Sequence, residues 1–352
     1  MIPVFDGHND FLLRLLTDPA RRAEIFLTGE GKGHLDLPRM QDSGFAGGFF
    51  AIYLPSPVAH DDADYQARME RPPYTLPLPD PIPFAEAIAP ATSAAGHLLW
   101  MERSSQGALK ICRTGGEVRD CVASGVIAAI LHMEGAEAID ESLDALHLFH
   151  AIGLRSLGPV WSRPTAFGHG VPFAFPSSPD TGPGLTEAGK RLVTTCNRLR
   201  IMLDLSHINE AGFNDVASLS DAPLVATHSN AHAVTPASRN LTDRQLAMIR
   251  ESGGMVGLNF SVSFLRPDGR RLPDCGWDPI LRHMDHLLSA LGEDHIGFGS
   301  DFDGCTTPDV IGDATGLPRL IEALAAHGYD RRLLEKLAHG NWLALLDRSL
   351  GA

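Results

Sequence analysis

Six side chains of the kinds that bind metal ions or transfer protons stand directly behind short apolar runs of this sequence. They are His8, Asp10, Glu134, His207, His228 and Asp301. The stretch FDGHND, at the end of the apolar lead MIPVF, places two of them one residue apart. Imidazole nitrogens and carboxylate oxygens without a thiolate suit zinc in a hydrolytic site, with manganese or cobalt as alternatives.

The number of candidate ligands favours two metal ions. An open catalytic zinc takes about three protein ligands, whereas the set offers three histidines and two carboxylates besides Asp301. Such a set suits two ions about 3.5–4 Å apart that share a carboxylate and a water molecule. A carbamylated lysine is the other common bridge in barrel hydrolases, but the lysines, at positions 32, 110, 190 and 336, do not directly follow an apolar run. Glu134 is therefore the better candidate for the shared ligand.

The elements that must position these residues alternate along the chain. Eight apolar runs, each followed by a helical pattern, span residues 2–5, 44–54, 126–133, 154–161, 201–206, 223–229, 254–260 and 295–301. Short strands alternating with helices predict parallel βα units, and eight of them predict an α/β fold, a (β/α)₈ TIM-like barrel forming a single domain over residues 1–352. Helices are predicted to start at Thr186 and Thr242, and one is predicted to end at Gly292.

In such a barrel the residues behind the strands gather on one face. Taken singly, each candidate has a structural alternative: Asp10 is placed to cap the helix FLLRLL, Glu134 sits in a glycine-flanked turn, and a lone histidine is more often structural than a ligand. Together on one face of the barrel, the six candidates favour a metal-dependent catalytic site. Two long loops, residues 55–83 and 162–184, leave the same face, so we expect them to form its walls.

Composition excludes several classes of partner. The 352 residues carry a net charge of −14 without a basic run, which argues against nucleic acid. No stretch approaches the roughly 18 apolar residues of a membrane span, and no signal-peptide pattern is present. The five cysteines are scattered without a CxxC pair, which argues against disulfides and cysteine-bound zinc. We expect a soluble, cytoplasmic protein that binds neither nucleic acid nor membrane.

The ordered motifs resemble the membrane (renal) dipeptidase family of binuclear zinc peptidases, within the amidohydrolase superfamily. The likeness runs over nearly the whole chain, through DGHND, MEG, DLSH, THSNAH, SRN at 238–240, GSDFDG and HGNW. It implies two Zn²⁺ ions per chain, with Glu134 bridging them. The first would be held by His8, Asp10 and Glu134, and the second by Glu134, His207 and His228.

The same resemblance implies hydrolysis of small unblocked dipeptides, including L,D-dipeptides, by attack of a metal-bridging hydroxide. Asp301 matches the aspartate that takes the proton of the hydroxide and passes it to the departing amine. Arg239 matches the arginine that grips the terminal carboxylate of the substrate, a role that suits a guanidinium fork. Its structural alternative is a surface arginine at the start of a helix. The family also suggests a homodimer.

One position departs from the family pattern. Better-known members carry a histidine after the fourth strand that helps bind the carbonyl oxygen, and Trp161 stands there instead. Tryptophan offers one N–H donor and a large apolar body, and His169 in the loop FGHGV is our candidate for a replacement imidazole. Two other functions stay open: a binuclear amidohydrolase acting on N-acyl amino acids or lactones, and a metal-stabilised binding protein without catalysis.

Overall fold

Eight parallel strands form a barrel in the computed structural model, which describes residues 1–56 and 67–351. In chain order they are β1 (Val4–Asn9), β2 (Phe45–Tyr53), β3 (Ile127–Glu134), β4 (Leu154–Gly158), β5 (Met202–Leu203), β6 (Val225–Ala226), β7 (Met255–Asn259) and β8 (Ile296–Gly299). Each of these strands pairs with its neighbours in sequence, β1 pairs with β8, and a parallel bridge between Asp204 and Val225 joins β5 to β6. A ninth strand of the same sheet, Leu109–Ile111, lies outside this ring and pairs in parallel with the start of β3. The predicted (β/α)₈ barrel is confirmed, since each of the eight predicted runs contributes one strand.

Helices follow the strands and cover the outside of the barrel. The α-helices are Phe11–Thr17, Leu37–Ser43, Phe84–Ser104, Gly115–Ser124, Asp144–Ile152, Glu187–Leu199, Glu210–Leu219, Asp243–Glu251, Val262–Leu265, Trp277–Leu291, Leu317–His327, Arg331–Glu335 and Asn341–Leu350. Short 3₁₀ turns lie at Pro19–Arg21 and Ala314–Gly316, and π-helical turns lie at Glu24–Thr28 and Lys336–Gly340. None of the helices in residues 1–56 and 67–351 is long and apolar enough to cross a membrane.

The predicted helix ends are confirmed by their capping contacts. Thr186 accepts a hydrogen bond from the backbone N–H of Gly189 at the start of Glu187–Leu199. Thr242 and Gln245 form a reciprocal capping box at the start of Asp243–Glu251. Trp277–Leu291 ends at Gly292. These contacts satisfy backbone groups that the helix ends would otherwise leave without partners.

The interior of the barrel changes from apolar at one end to polar at the other. Along β3, Ala128 and Ile130 pack with Trp342, while the alternate residues face the outer helices. Trp342, in the HGNW motif, closes the amino-terminal end of the barrel, where its Nε1–H donates to the carbonyl of Phe298 at 3.0 Å. His132 and Glu134 continue the inward row of β3, so polar side chains are concentrated at the carboxyl-terminal end.

The two long loops pair with each other. Tyr74–Thr75, from the first loop, forms a two-stranded antiparallel sheet with Ala174–Phe175, from the second. Residues 57–66 of the first loop lie outside the described part of the chain. In the second loop, the ring of Phe173 lies 6.4 Å from the ring of His207, which places this loop beside the candidate ligands as predicted.

Candidate metal centre

Four of the sequence-predicted ligands meet at one carboxylate oxygen. Oε1 of Glu134 lies 3.0 Å from Nε2 of His207, 3.3 Å from Nε2 of His228 and 3.6 Å from Nε2 of His8. The Nε2 atoms of His207 and His228 are 3.1 Å apart, and the rings of His8 and His228 stack at 3.8 Å. All four side chains are buried. Nitrogen and oxygen ligand atoms this close together could hold a metal ion, with Glu134 at the centre of the group.

Asp10 joins this cluster from the end of β1. Its Oδ2 lies 3.3 Å from Nε2 of His8, and its Oδ1 is buried with no hydrogen-bond partner among the residues that the structure describes. Although Asp10 directly precedes the helix Phe11–Thr17, its side chain makes no capping hydrogen bond. The capping alternative for Asp10 is therefore wrong, and its carboxylate faces the other candidate ligands instead.

The strand boundaries differ from the predicted ones at two ligands. His8 lies within β1 and Glu134 is the last residue of β3, whereas the sequence pattern placed both just beyond their strands. β1 continues through its polar residues because the carboxylate of Asp6 is satisfied inside the barrel. Asp6 accepts hydrogen bonds from the backbone N–H and the hydroxyl of Ser300, at 2.6 and 2.8 Å.

Asp301 stands at the end of β8, within 4.8 Å of ligand atoms of His8 and Asp10. Its Oδ2 accepts a hydrogen bond from Nδ2 of Asn259 at 2.9 Å. Its backbone has φ +59°, a left-handed conformation that aspartate tolerates and that is common at active sites. A β-carbon at Gly304 would overlap the carboxylates of Asp10 and Asp301, which explains the glycine of the GSDFDG motif. Burial, followed by the charge of Asp10, raises the pKa of Asp301 to about 7.

Arg239 reaches the cluster from the loop after β6 and is 3% exposed. Its Nη2 donates to Nε2 of His207 at 3.1 Å and to the carbonyl of His228 at 3.2 Å, and its Nη1 donates to the carbonyl of Ser206. Its Nε is buried and has no hydrogen-bond partner in the described part of the chain. The alternative of a surface arginine is wrong, because the guanidinium lies inside the site.

The buried charges of the site fit a divalent cation. Burial raises the pKa of Glu134 and lowers the pKa values of His207 and His228 well below their usual range. Burial also disfavours a charged His8, yet the carboxylates of Glu134 and Asp10 raise the pKa of His8 to about 10. Carboxylates that stabilise a positive charge on a buried imidazole would also stabilise a divalent cation bound between them.

Several polar residues that support the cluster were missed by the sequence analysis. The hydroxyl of Ser162 lies 2.9 Å from Nδ1 of His207, and the hydroxyl of Thr227 lies 2.9 Å from Nδ1 of His228. His132, one inward position before Glu134 on β3, lies 5.3 Å from His8 between ring centroids. The period of two along β3 would have indicated His132, whereas nothing in the sequence indicates the two hydroxyl contacts.

Trp161 lies at the edge of the site and His169 lies farther along the same loop. The indole of Trp161 is 5.8 Å from the ring of His207 and 5.1 Å from the ring of Tyr53, between ring centroids. Nδ1 of His169 lies 3.3 Å from the carbonyl oxygen of Gly184. The structure thus brings Trp161 to a metal-ligand candidate, and the role of His169 stays a prediction.

Comparison with known proteins decides the family. Residues 1–349 match the family model of membrane dipeptidase, peptidase family M19. This chain belongs to that family. It is a metal-dependent dipeptidase, a hydrolase of peptide bonds.

Two solved structures resemble this dipeptidase over essentially its whole length. One is a metallo peptidase from Rhodobacter sphaeroides liganded with a phosphinate mimic of the dipeptide L-Ala-D-Ala, with 69% identity, a TM-score of 0.98 and 99% of each chain covered. The other is dipeptidase AC, a metallo peptidase of family M19, with 69% identity, a TM-score of 0.98, and coverage of 100% of this chain and 99% of that one.

A more distant structure shares the fold alone. The probable dipeptidase PvdM from Pseudomonas aeruginosa is 21% identical with a TM-score of 0.80, and the match covers 99% of this chain and 96% of that chain.

Proposed function

We propose that this dipeptidase holds two zinc ions and cleaves small unblocked dipeptides, including L,D-dipeptides. The observation that carries the proposal is the convergence of three imidazoles on Oε1 of Glu134 with the guanidinium of Arg239 beside them. His8, Asp10 and Glu134 would hold one ion, and Glu134, His207 and His228 the other. When bound, the ions supply an acidified water molecule and an electrophile for the carbonyl oxygen. Manganese and cobalt prefer similar ligands and are the alternatives.

Asp301 is the proposed carrier of the proton. Its carboxylate is buried near His8 and Asp10, and Asn259 holds one of its oxygens. A carboxylate in this position can accept a proton from the attacking water and, once protonated, donate it to the departing amine. Asp301 therefore serves first as general base and then as general acid.

Arg239 is the proposed receptor for the terminal carboxylate of the substrate. A ligand bond from Nε2 of His207 to a metal ion would use the lone pair that accepts from Nη2 of Arg239. Nη2 would then have an N–H free, and Nε of Arg239 has no partner within residues 1–56 and 67–351. Two N–H groups along one edge of a guanidinium match the two oxygens of a carboxylate.

Trp161 and the neighbouring aromatic rings would shape the pocket for the substrate. The ring of Phe173 lies 5.6 Å from that of Trp161 and 5.9 Å from that of Phe264, and Cζ of Arg239 lies 5.4 Å from the centre of the Phe264 ring. This apolar wall adjoins the proposed carboxylate receptor, so it would contact the side chain of the carboxyl-terminal residue. The solved relative with an L-Ala-D-Ala mimic supports a D-residue at that position.

Arg239→Ala tests the carboxylate receptor. We expect kcat/KM for a free dipeptide to fall by about 10- to 100-fold, mainly through KM, because a charge-assisted hydrogen bond contributes about 1.5–3 kcal/mol. The measurement compares each dipeptide with its carboxyl-terminal amide in both proteins. The amide lacks the carboxylate, so its kcat/KM should be low in the unaltered protein and change little in the variant. Equal losses on the acid and the amide would contradict the role, since they would indicate a general disturbance of the loop.

A cytoplasmic location, a homodimer and a role of His169 in binding the substrate stay predictions of the sequence.

A further inference from the structure

Behind His228, away from Glu134, lies a buried hydrogen-bonded pair formed by Asp204 and Thr227. The hydroxyl of Thr227 donates to Oδ2 of Asp204 at 2.6 Å and lies 2.9 Å from Nδ1 of His228. All three residues are at most 3% exposed. Resting on the proposed function, in which His228 binds a metal ion, we infer that Asp204 and Thr227 are positioning residues that fix His228 in its metal-binding tautomer.

The donors and acceptors around the Thr227 hydroxyl fix the position of its proton. A threonine hydroxyl has one hydrogen to donate, and a carboxylate can only accept. The proton of the Thr227 hydroxyl is therefore committed to Asp204, so its oxygen can only accept from His228. Nδ1 of His228 must then carry the ring hydrogen. In the neutral imidazole this leaves a lone pair on Nε2, which is the nitrogen 3.3 Å from Oε1 of Glu134.

Other donors hold the Asp204 carboxylate in place. Oδ1 accepts from the hydroxyl of Ser206 at 2.6 Å and from the backbone N–H groups of Ser206 and Thr227, at 3.1 and 2.9 Å. Because Ser206 also commits its proton to Asp204, its 3.3 Å contact with the Thr227 hydroxyl does not supply a proton to that oxygen. Nε2 of His132 lies 3.6 Å from Oδ2, beyond hydrogen-bond distance.

His207, the other histidine proposed to bind the same ion, has no comparable hydrogen-bonded pair behind its ring in residues 1–56 and 67–351. The hydroxyl of Ser162 lies 2.9 Å from Nδ1 of His207, and within the described part of the chain no hydrogen bond commits its proton to another acceptor. Ser162 can therefore either donate to His207 or accept from it. At His207 the donor that requires a lone pair on Nε2 is Nη2 of Arg239, on the side of the ring where the metal ion would bind. Of these two histidines, His228 is the one whose tautomer is fixed from behind the ring, by groups that would stay in place when a metal ion binds.

Asp204→Asn separates proton placement from packing, because asparagine has nearly the shape of aspartate. Three donors surround Oδ1, so the amide oxygen takes that place and the amide nitrogen faces Thr227. The N–H of the amide then donates to the hydroxyl oxygen, and the hydroxyl proton turns to Nδ1 of His228. The ring hydrogen is then favoured on Nε2, so a metal ion must displace it to bind there and the affinity falls.

The test measures Zn²⁺ affinity in chelator-treated protein by competition with a chromophoric chelator. The unaltered protein should bind two ions, and Asp204→Asn and Thr227→Val should each weaken one of the two affinities by about 10- to 100-fold. Thr227→Ser, which keeps the hydroxyl, should behave like the unaltered protein. Thr235→Val is the matched control, since Thr235 is also buried and its hydroxyl lies 3.2 Å from Nε2 of His283.

The double variant Asp204→Asn with Thr227→Val shows whether Asp204 acts on His228 through the Thr227 hydroxyl. Once Thr227 is replaced by Val, Asp204→Asn should weaken Zn²⁺ binding little further, because the connecting hydroxyl is gone. An equally large effect of Asp204→Asn in both backgrounds, or two unchanged affinities in folded Asp204→Asn and Thr227→Val proteins, would overturn the inference. An unaltered protein that binds fewer than two ions would overturn the proposed two-metal centre and the inference with it.

Discussion

Glu134→Gln is expected to lose metal and nearly all activity. Oε1 of Glu134 lies within 3.6 Å of the Nε2 atoms of three candidate ligand histidines. A neutral amide is a weaker ligand and cannot neutralise two cations, so we expect fewer than two ions per chain. Since metal ions supply several kcal/mol of transition-state stabilisation, kcat/KM should fall by at least about 10³-fold. The measurement is metal content by elemental analysis together with initial rates on a dipeptide.

Glu137→Gln is the matched control for this variant. Glu137 is a buried glutamate three residues farther on, but its carboxylate pairs with Arg163 at 2.6 Å instead of facing the histidines. Folded Glu137→Gln protein should therefore keep two ions. Full metal content in Glu134→Gln, or an equal loss of metal in both variants, would contradict the bridging role.

Asp301→Asn is expected to separate catalysis from metal binding. In the proposed mechanism Asp301 moves a proton, while the ions are held by other residues. Asparagine keeps the shape and the contact with Asn259 but cannot accept a proton, so kcat should fall by about 10²- to 10⁴-fold with two ions still bound. Steady-state rates on protein of measured metal content test this result.

Asp303→Asn provides the comparison for Asp301. Asp303 is also buried and also has a left-handed backbone, with φ +67°, but its Oδ1 accepts from the backbone N–H of His34 and lies 3.5 Å from Nη1 of Arg14. Its replacement should leave most of the turnover. Retained turnover in metal-replete Asp301→Asn protein would rule out the acid/base assignment.

The barrel could be predicted from the sequence because its strands are short, buried and separated by helices with clear ends. Parallel strands covered on both faces give continuous apolar runs, which is how all eight were found. The boundary of β1 was harder to predict. Its polar residues resembled a loop, since the partner that satisfies Asp6 is Ser300, 294 residues away in the chain.

The candidate ligands could be predicted for a related reason. In a barrel, the residues after each strand meet at one mouth, so strand ends alone bring distant side chains together. The supporting contacts could not be predicted in that way. The contact of Thr227 with Asp204 depends on how β5 and β6 meet, and the pairing of Tyr74–Thr75 with Ala174–Phe175 depends on the course of two long loops.

The role of the side chain at position 161 could not be predicted from the sequence. The resemblance to the family predicted a histidine where Trp161 stands, and the structure places the indole 5.8 Å from the ring of His207. An indole offers one donor and much apolar surface, so it changes the pocket more than a single hydrogen bond would. The ratio of L,D to L,L turnover is therefore the quantity on which Trp161 should act.

The proposed cleavage of free dipeptides is tested most directly by a panel of initial hydrolysis rates for the zinc-loaded protein. The panel pairs L,L-dipeptides with their L,D diastereomers and includes N-acetylated forms and lactones as controls. We predict turnover of free dipeptides, L,D forms among them, and little or none of the blocked forms. Turnover of the N-acetylated forms or the lactones without the free dipeptides, from protein with two ions bound, would contradict the proposed substrate class.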